Sequence, residues 1–316
     1  MNLKKILLIF TLLSTLMLNA NSKKIVYITA DMNIPFWKIM SKGIHNITEK
    51  QDYVFKIFDS QNSAKKELMH TIKAIKDEVD GIILSPTNSS ACVTILKLAK
   101  KANIPVIIAD VGTDKGDYVS YISSNNKLGS YNLGIVLSEE MKKRNIHNKK
   151  VGIIAIPQKR LNGQERTAGF MEALNQANIK GADIKQLINW SNEETYKYTK
   201  DMINRFPNLG AIWIQTSNIY KGAISAIKDM KKENEILLIA FDAEPEFVEL
   251  ISQNTIIASG MQQPYLMGQK AAISMHKHFI GKKVIKDIQV PILIVSTKNI
   301  EEKKSTINLN VLGIER

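Results

Sequence analysis

The sequence predicts an α/β protein with two lobes, each containing a parallel β-sheet covered by helices on both faces. Its 316 residues, 44% of them hydrophobic, supply enough chain for about two domains. Short runs rich in β-branched residues alternate with amphipathic segments, as expected for parallel strands connected by helices. The alternation occurs in two successive series, and this repetition indicates two lobes in one chain.

The first series occupies the chain from about residue 24 to residue 123. Its strand Gly81–Leu84 is a nearly continuous apolar run, which suits a strand buried on both faces. In the helix Ser63–Glu78, Leu68, Ile72 and Ile75 recur at helical spacing and predict a stripe that faces the core. The other predicted elements are strands Lys24–Thr29, Val54–Phe58, Val106–Ala109 and Val119–Ser123, and helices Pro35–Lys50 and Cys92–Lys101.

The second series follows a short join near Ser123–Asn125, without a linker rich in Pro, Gly or Ser. Its predicted helices are Leu128–Lys143, Gly163–Asn178, Glu193–Phe206 and Tyr220–Lys231, and its strands are Lys150–Ile156, Ile184–Ile188, Ala211–Ile214 and Ile236–Phe241. The later elements, Ala258–Met261, helix Pro264–Ile280 and strand Ile292–Val295, are too few for a third domain and must complete the two lobes. In the tail, Ile307–Val311 alternates like an edge strand and receives no predicted function.

The first 20 residues have the pattern of a cleaved signal peptide. Lys4 and Lys5 precede the apolar run Ile6–Leu18, and Ala20 is a small residue at the expected cut. The run has roughly 13 residues, fewer than the ~20 that a membrane-spanning helix needs. We therefore expect a soluble, exported mature chain, and an uncleaved anchor is the alternative.

The chain is basic, with a net charge of +13 and a pI near 9.5. This charge alone allows nucleic acid, anionic lipid or an anionic ligand as a partner. Export excludes nucleic acid, and the Lys pairs are spread along the chain without forming one basic stripe. We therefore interpret most of the excess as a solvated surface.

The sequence lacks the motifs of several classes of enzyme and metal site. Cys92 is the single cysteine, so it forms no intramolecular disulfide or multi-thiolate zinc site, and we interpret it as a small buried side chain. His276 and His278 would point to different faces of a helix, which makes a poor metal pair. No Gly-rich phosphate cradle or catalytic Ser motif occurs. We predict no metal, no cofactor and no enzyme, although two acids, Asp110 and Asp242, would allow hydrolysis in principle.

Ligands in such sheets bind beyond the carboxyl ends of the strands, so the residues just after each apolar run are the candidates. They are acids, amides, hydroxyls, arginines and aromatics, the composition of a cleft for a small polar molecule with an apolar face. Ordinary packing of the aromatics and helix capping by the two acids are the alternatives. The candidates include Asp31, Asn33, Phe36, Trp37, Ser85, Thr87, Asp110, Gln158, Arg160, Arg166, Trp190, Gln215, Thr216, Asp242 and Gln262.

Six separated motifs resemble, in order and spacing, the ribose-type periplasmic sugar-binding proteins. They are Asn33–Trp37, Asp59–Asn62, Leu84–Thr87, Ala102–Val106, Gln164–Phe170 and Phe241–Asp242. The resemblance implies two Rossmann-like lobes joined by a three-crossing hinge, the periplasmic binding protein type 1 fold. It implies a first lobe of residues 24–123 plus 263–290, a second lobe of residues 125–260 plus 292–316, and hinge crossings near 123–125, 261–263 and 290–291.

Carried over by position, the resemblance implies aromatic stackers, two carboxylates, an arginine and a hinge-side amide in the ligand site. The residues at these positions are Phe36, Trp37 and Trp190, Asp110 and Asp242, Arg166, and Gln262. The match is uneven, because Ile34, Ser85, Val111 and Thr216 stand where the ribose-binding pattern has Asn, Asn, Arg and Asn. The predicted ligand-binding set is therefore Phe36, Trp37, Ser85, Asp110, Arg166, Trp190, Thr216, Asp242 and Gln262, with a ligand other than ribose.

The departures predict a neutral polyhydroxylated or heterocyclic ligand, and an anionic one if two of Lys159, Arg160 and Arg166 enter the cleft. The resemblance implies a periplasmic solute-binding protein that delivers its ligand to an ABC permease. A periplasmic sensor that presents its bound form to a membrane histidine kinase or chemoreceptor is the alternative. A cytoplasmic repressor is disfavoured, because a signal peptide stands where its DNA-binding segment would be.

Overall fold

The computed structural model describes residues 22–314 and contains two six-stranded β-sheets. The predicted signal peptide, residues 1–20, lies outside the described residues. Between residues 22 and 314, no helix has both the length and the apolar character needed to cross a membrane.

The strands divide between the two sheets as follows. The first sheet contains β1 (Lys24–Thr29), β2 (Val54–Asp59), β3 (Gly81–Ser85), β4 (Val106–Ala109), β5 (Ser120–Ser124) and β11 (Asp287–Val290). The second contains β6 (Lys150–Ala155), β7 (Gly181–Gln186), β8 (Leu209–Ile214), β9 (Leu237–Phe241), β10 (Ala258–Met261) and β12 (Leu293–Ser296).

The two sheets have equivalent topologies. Their strand orders are β2-β1-β3-β4-β5-β11 and β7-β6-β8-β9-β10-β12. All neighbours are parallel except β12, which runs antiparallel to β10. The inner strands β3, β4, β8 and β9 are buried along their whole length. The predicted fold class, two α/β lobes with parallel sheets, is confirmed.

The described chain, residues 22–314, contains ten α-helices, of which nine lie between strands and the tenth follows β12. They are α1 (Pro35–Lys50), α2 (Ala64–Lys76), α3 (Ser89–Lys101), α4 (Asn126–Lys143), α5 (Leu161–Gln176), α6 (Asn192–Arg205), α7 (Tyr220–Asp229), α8 (Phe247–Ser252), α9 (Pro264–Phe279) and α10 (Ile300–Thr306). Sequence signals explain several starts. Pro35 and Pro264 begin α1 and α9, and the side chains of Ser63 and Asn88 accept backbone N–H groups at the starts of α2 and α3.

The chain passes between the sheets three times. It leaves the first sheet after β5, returns to it after β10 through α9, and leaves it again between β11 and β12. These crossings lie side by side at one end of the cleft, where the Gln263 side-chain amide donates to the Pro291 backbone oxygen at 2.8 Å. This hydrogen bond joins the second crossing to the third.

The helices α1 and α9 pack closely on one face of the first sheet. A Cβ atom added at Gly43 would lie 2.1 Å from the Tyr265 backbone oxygen, and one added at Gly268 would lie 2.1 Å from the Met40 backbone oxygen. Two glycines at the crossing therefore let the two backbones touch. The helix α1 begins at the cleft, and α9 begins at the second crossing between the sheets. Their contact therefore fixes the position of the cleft residues of α1 relative to that crossing.

The predicted core stripe of α2 is wrong. Ile72 is 41% exposed, and Leu68 and Ile75 are only partly buried. The buried face instead carries Glu67, Thr71 and Ala74. The reason is that Glu67 has a buried partner in the loop after β3, and the helix turns this polar face inward. An apolar pattern alone does not reveal such a partner.

The predicted edge strand at Ile307–Val311 is also wrong, because these residues form a turn of π-helix that follows α10. Ile307 and Val311 are buried in the core of the second lobe, four residues apart. The strand β11 and the short helix α8 were not predicted, since the polar sequence of Asp287–Val290 lacks a strand's apolar run. The strand predicted at Ile184–Ile188 lies earlier, at Gly181–Gln186.

Candidate ligand-binding site

A cavity lies between the carboxyl ends of the two sheets. Side chains from both lobes line it, and they include charged, amide and aromatic groups. All the predicted ligand-binding residues except Ser85 line this one cavity: Phe36, Trp37, Asp110, Arg166, Trp190, Thr216, Asp242 and Gln262. The strand-end rule therefore brought together residues that are more than 200 positions apart in the sequence.

Ser85 lies beneath the cavity rather than on its wall. Its hydroxyl is 2.9 Å from the Tyr27 hydroxyl and donates to the Met40 Sδ at 3.6 Å. The side chain is buried in the first lobe because it satisfies Tyr27, a hydroxyl that the core encloses completely. Ser85 thus lies outside the cavity wall, and its predicted role in ligand binding stays a prediction.

Asp110 follows β4 and presents a carboxylate from the first lobe. Its backbone has φ of 71°, a left-handed conformation that Asp tolerates better than most residues. The Trp37 Nε1 donates to Oδ2 at 3.2 Å, and the Asn162 Nδ2 donates to Oδ1 at 3.3 Å. Burial raises the pKa of Asp110 to about 6, and the positive charge of Arg166 opposes this rise.

Asp242 follows β9 and is the second lobe's counterpart, with φ of 67°. The Gln262 Nε2 donates to its Oδ1 at 2.7 Å, and the Arg166 Nη1 lies 3.8 Å from its Oδ2. Burial raises the pKa of Asp242, while Arg166 and the Gln262 hydrogen bond lower it. Equivalent turns after equivalent strands thus aim one carboxylate from each lobe into the cavity.

Arg166 is a fixed cation rather than a mobile one. Its Nε donates to the Asn126 Oδ1 at 2.9 Å, and its Nη1 donates to the Gln215 backbone oxygen at 2.8 Å. The guanidinium lies 4.0 Å from the centre of the Phe241 ring. Burial lowers its pKa, and Asp242 opposes this effect. The arginine is therefore held in place before any ligand arrives.

Two cavity-lining amides carry buried oxygen atoms without a hydrogen-bond partner. Among the described residues, the Asn162 Oδ1 and the Gln262 Oε1 belong to this small group. The Asn162 amide donates a hydrogen bond to Asp110, and the Gln262 amide donates one to Asp242. The oxygen of each amide accepts no hydrogen bond from the protein. A buried acceptor without a donor costs free energy. The site is consequently rich in acceptors and suits a ligand with several donors, such as hydroxyl groups.

Several residues of the cavity wall lie outside the predicted ligand-binding set. Arg160 was noted after β6, and it reaches the cavity together with Arg166, so two arginines accompany the two aspartates. Asn162 is the second residue of α5, and no sequence pattern marks it as a ligand-binding residue. Its place in the wall depends on a hydrogen bond to Asp110 in the other lobe. The other wall residues outside the predicted ligand-binding set are Ile34, Pro35, Ile39, Ile156, Ser217, Asn218, Ala243, Glu244, Pro264 and Val311.

The described chain, residues 22–314, brings no three His, Cys, Asp or Glu side chains together as a metal site would require. Cys92 is buried in the core of the first lobe, and burial raises its thiol pKa. A thiol with a raised pKa is a poor nucleophile, and this one lies outside the cavity wall.

Comparison with known proteins agrees with this geometry. Residues 25–283 match the model of the periplasmic binding protein domain family. The ribose import binding protein of Escherichia coli is 27% identical over 292 residues, which cover 90% of this chain and 95% of that protein.

Two solved structures have the same fold at lower identity. A carbohydrate transporter solute-binding protein from Agrobacterium radiobacter, in complex with D-arabinose, has a TM-score of 0.84 at 19% identity and covers 93% of this chain and 100% of that one. An ABC transporter solute-binding protein from Actinobacillus succinogenes, with bound D-allose, has a TM-score of 0.82 at 21% identity and covers 89% and 100%. The chain belongs to the periplasmic binding protein domain family, among the type 1 sugar-binding proteins.

Proposed function

We propose that this protein is a periplasmic solute-binding protein that captures a small, sugar-like ligand between its lobes and delivers it to an ABC importer. The relatives support the class, because their names describe sugar import and sugar binding. The ligands named for these relatives are not assigned to this chain. The site residues of this chain are the basis for the ligand class proposed here.

The observation that carries the proposal is the pairing of a carboxylate with an amide in each half of the cavity wall. Asp110 pairs with Asn162, and Asp242 pairs with Gln262, and both amide oxygens lack a donor within the protein. Vicinal hydroxyl groups supply donors at the spacing of neighbouring carboxylate and amide oxygens. Two such pairs favour a polyol or monosaccharide over a ligand with only one donor.

The charges at the cavity favour a neutral ligand. Arg160 and Arg166 face Asp110 and Asp242 within the same wall, so the two signs oppose each other. Glu244 adds a carboxyl whose pKa is raised by burial and whose Oε1 accepts a hydrogen bond from the Ser217 hydroxyl at 2.7 Å. The arginines at the cavity do not outnumber the acids, so an anionic ligand would meet repulsion that the positive charges do not exceed. The condition stated for an anionic ligand is met, because two of the three basic residues, Arg160 and Arg166, line the cavity. Three acids, Asp110, Asp242 and Glu244, line the same wall and outnumber them, and this balance supports the proposal of a neutral ligand.

Binding requires the two lobes to meet around the ligand. Asp110 lies on the first lobe and Asp242 on the second, so a ligand that bonds to both bridges the cleft. A ligand favours the closed form only by its higher affinity for that form. The three crossings beside Gln263 provide the hinge for this motion. A permease can then distinguish the loaded protein by the relative position of its lobes.

The test is a binding screen of the mature protein with D-ribose, D-arabinose, D-allose, other sugars and polyols, nucleosides, and small acids. A ligand at about 100 times its dissociation constant should stabilise the protein by about 2.7 kcal/mol. Asp242→Asn should abolish the binding of that ligand in calorimetry. Asp117→Asn is the matched control, because Asp117 is exposed and pairs only with Lys100 at the surface.

Stabilisation by a nucleoside or an acid, with none by any sugar or polyol, would contradict the proposed ligand class. Equal affinity in Asp242→Asn and in the unchanged protein would contradict the proposed site. For the import role, a strain that lacks the protein should lose uptake of the identified ligand. Unchanged uptake combined with a lost sensory response would favour the sensor alternative.

A further inference from the structure

The loop after β7 changes its hydrogen-bond partner where the sheet ends. The Leu187 backbone N–H still donates to a backbone oxygen of β6, at 2.9 Å. The next three backbone N–H groups donate to one side chain instead, the carboxylate of Glu194 on α6. They belong to Ile188, Asn189 and Trp190, and the distances are 2.8, 3.0 and 3.0 Å. A single acid therefore replaces the sheet as the partner of this loop.

Glu194 is itself held in one position. It is only 7% exposed, and the Tyr198 hydroxyl donates to its Oε1 at 3.0 Å. Its backbone N–H donates to the Ser191 hydroxyl at 3.1 Å, which caps the start of α6. Ser191 and Glu194 have the spacing of a capping box, in which the acid returns to the backbone N–H of the cap. Here the carboxylate reaches further, to the three residues before the cap, and these charge-assisted bonds are stronger than bonds between neutral groups.

The backbone of Trp190 is strained and needs such support. Its φ is 54°, in the left-handed region. Within residues 22–314, the other non-glycine residues with positive φ are Asp, Asn, Gln, Glu and Lys, so Trp190 is the one aromatic residue in this group. A bulky residue persists in this region only where the surrounding contacts impose it. The hydrogen bond from the Trp190 N–H to Glu194 is one such contact, because it fixes the peptide group on one side of the strained angle.

The strained backbone places the Trp190 ring on the cavity wall, where the guanidinium carbon of Arg160 lies 5.1 Å from the ring centre. Glu194, Trp190 and Arg160 all belong to the second lobe, so this placement does not depend on where the first lobe lies. The two preceding residues, Ile188 and Asn189, have exposed side chains. Packing of these two side chains therefore does not hold the loop, and the hydrogen bonds to Glu194 supply what packing does not.

We propose that Glu194 is a positioning residue that holds the Trp190 ring on the cavity wall and thereby sets the affinity for the apolar face of a ligand. The alternative is that Glu194 only stabilises the start of α6, as acids near a helix N-terminus generally do. A role in the helix alone leaves the ring in place when Glu194 is replaced, whereas positioning moves it. The inference rests on the proposed function only for the contact between Trp190 and a ligand, since the placement of the ring is measured without one.

The experiment follows the tryptophans of the full mature protein by fluorine NMR after incorporation of fluorotryptophan, without ligand. The chain has three, Trp37, Trp190 and Trp213, and a Trp190→Phe variant assigns the resonance of interest. Glu194→Gln keeps the size of the side chain but turns an amide N–H group towards backbone N–H groups. We expect the Trp190 resonance to shift or broaden, while the resonance of the buried Trp213 stays in place and reports an intact fold. An unchanged Trp190 resonance in Glu194→Gln overturns the proposal.

Matched variants separate the hydrogen bonds from the charge. Glu193→Gln removes the same charge from the same turn of α6, at an exposed residue that pairs with Lys197, and should leave the Trp190 resonance in place. Glu194→Asp keeps the charge on a side chain one methylene shorter, which does not reach the three N–H groups together, and should displace the resonance as Glu194→Gln does. An equal displacement in Glu193→Gln, or an undisplaced resonance in Glu194→Asp, overturns the proposal, because charge alone would then account for the effect.

Calorimetry with D-ribose, D-arabinose and D-allose tests the consequence for binding. Once the ring has left the wall, a bound sugar must restore the strained backbone, and strain of this size corresponds to a roughly tenfold loss of affinity. We expect this loss in Glu194→Gln and none in Glu193→Gln, and a double variant of Glu194→Gln with Trp190→Ala should bind no more weakly than Trp190→Ala alone. A further loss in the double variant overturns the proposal, because Glu194 would then act other than through Trp190. Failure of the unchanged protein to bind any of these sugars counts against the proposed ligand class, whereas the fluorine resonances alone decide the placement of Trp190.

Discussion

Replacing Gly43 by alanine should destabilise the first lobe because the new methyl group would meet backbone rather than a movable side chain. The Cβ would lie 2.1 Å from the Tyr265 oxygen, whereas ordinary contacts begin at 3.4 Å and real ones essentially never fall below 3.0 Å. The helices α1 and α9 must therefore separate by roughly 1 Å. Overpacking of this kind costs about 1–3 kcal/mol, and a backbone contact belongs at the upper end.

The expected loss is measurable by thermal unfolding followed by circular dichroism. A cost of about 3 kcal/mol corresponds to a midpoint roughly 6–12 °C lower for a chain near this size. Alanine favours a helix by up to about 1 kcal/mol over glycine, so propensity acts against the loss and does not explain it. Because Trp37 lies on α1 and Gln262 lies next to α9, ligand affinity should fall as well.

Gly181→Ala is the matched control. A Cβ at Gly181 would find its nearest neighbour, the Met171 Cε, at 3.6 Å, an ordinary contact distance. Its free energy of unfolding should remain within about 1 kcal/mol of that of the unchanged protein. If Gly43→Ala lowers the midpoint no more than Gly181→Ala does, the close approach of α1 and α9 is refuted.

Two further predictions concern the site. Ser85→Ala should lower the free energy of unfolding, measured by chemical denaturation, by about 1 kcal/mol, because the hydrogen bond to Tyr27 is lost. Ligand affinity in calorimetry should stay the same, and a large loss of affinity would show that Ser85 contacts the ligand. Because burial raises the folded pKa of Asp110 from 3.8 to about 6, the stability it contributes is complete below pH 3.8 and is lost as the pH rises through 6. Asp110→Asn should therefore stabilise the ligand-free protein at pH 8 by up to about 3 kcal/mol and yet weaken binding, and a less stable variant would contradict this reasoning.

Much of the fold could be predicted from the sequence, because apolar runs mark the buried strands and polar residues mark where each strand ends. The apolar runs of β3, β4 and β9 are buried on both faces, and each is followed by a polar turn. Since parallel strands bring their carboxyl ends to one edge, Asp110 and Asp242 were predicted in a common cleft without knowledge of the contacts between the lobes.

The unpredicted features depend on partners that are distant in sequence. Arg160 resembles any polar residue after a strand until Asn62 and Thr87 of the other lobe are in place. Glu67 lies on a polar face of α2 that the sequence pattern predicts to be exposed. The face is buried because the Glu67 carboxylate accepts a hydrogen bond from Thr87. Ser85 follows the strand-end rule but turns towards Tyr27. Local patterns show where a side chain begins, and tertiary partners decide where it points.

The interleaved strand order also governs when the molecule can fold. The first sheet is completed by β11 and the second by β12, both encoded in the last tenth of the chain. A nascent chain emerging from the ribosome therefore lacks an edge strand of each sheet until all the other strands have been made. Domains usually fold in turn as they are made. Here only two residues separate β11 from β12, so the two sheets receive their last strands almost together.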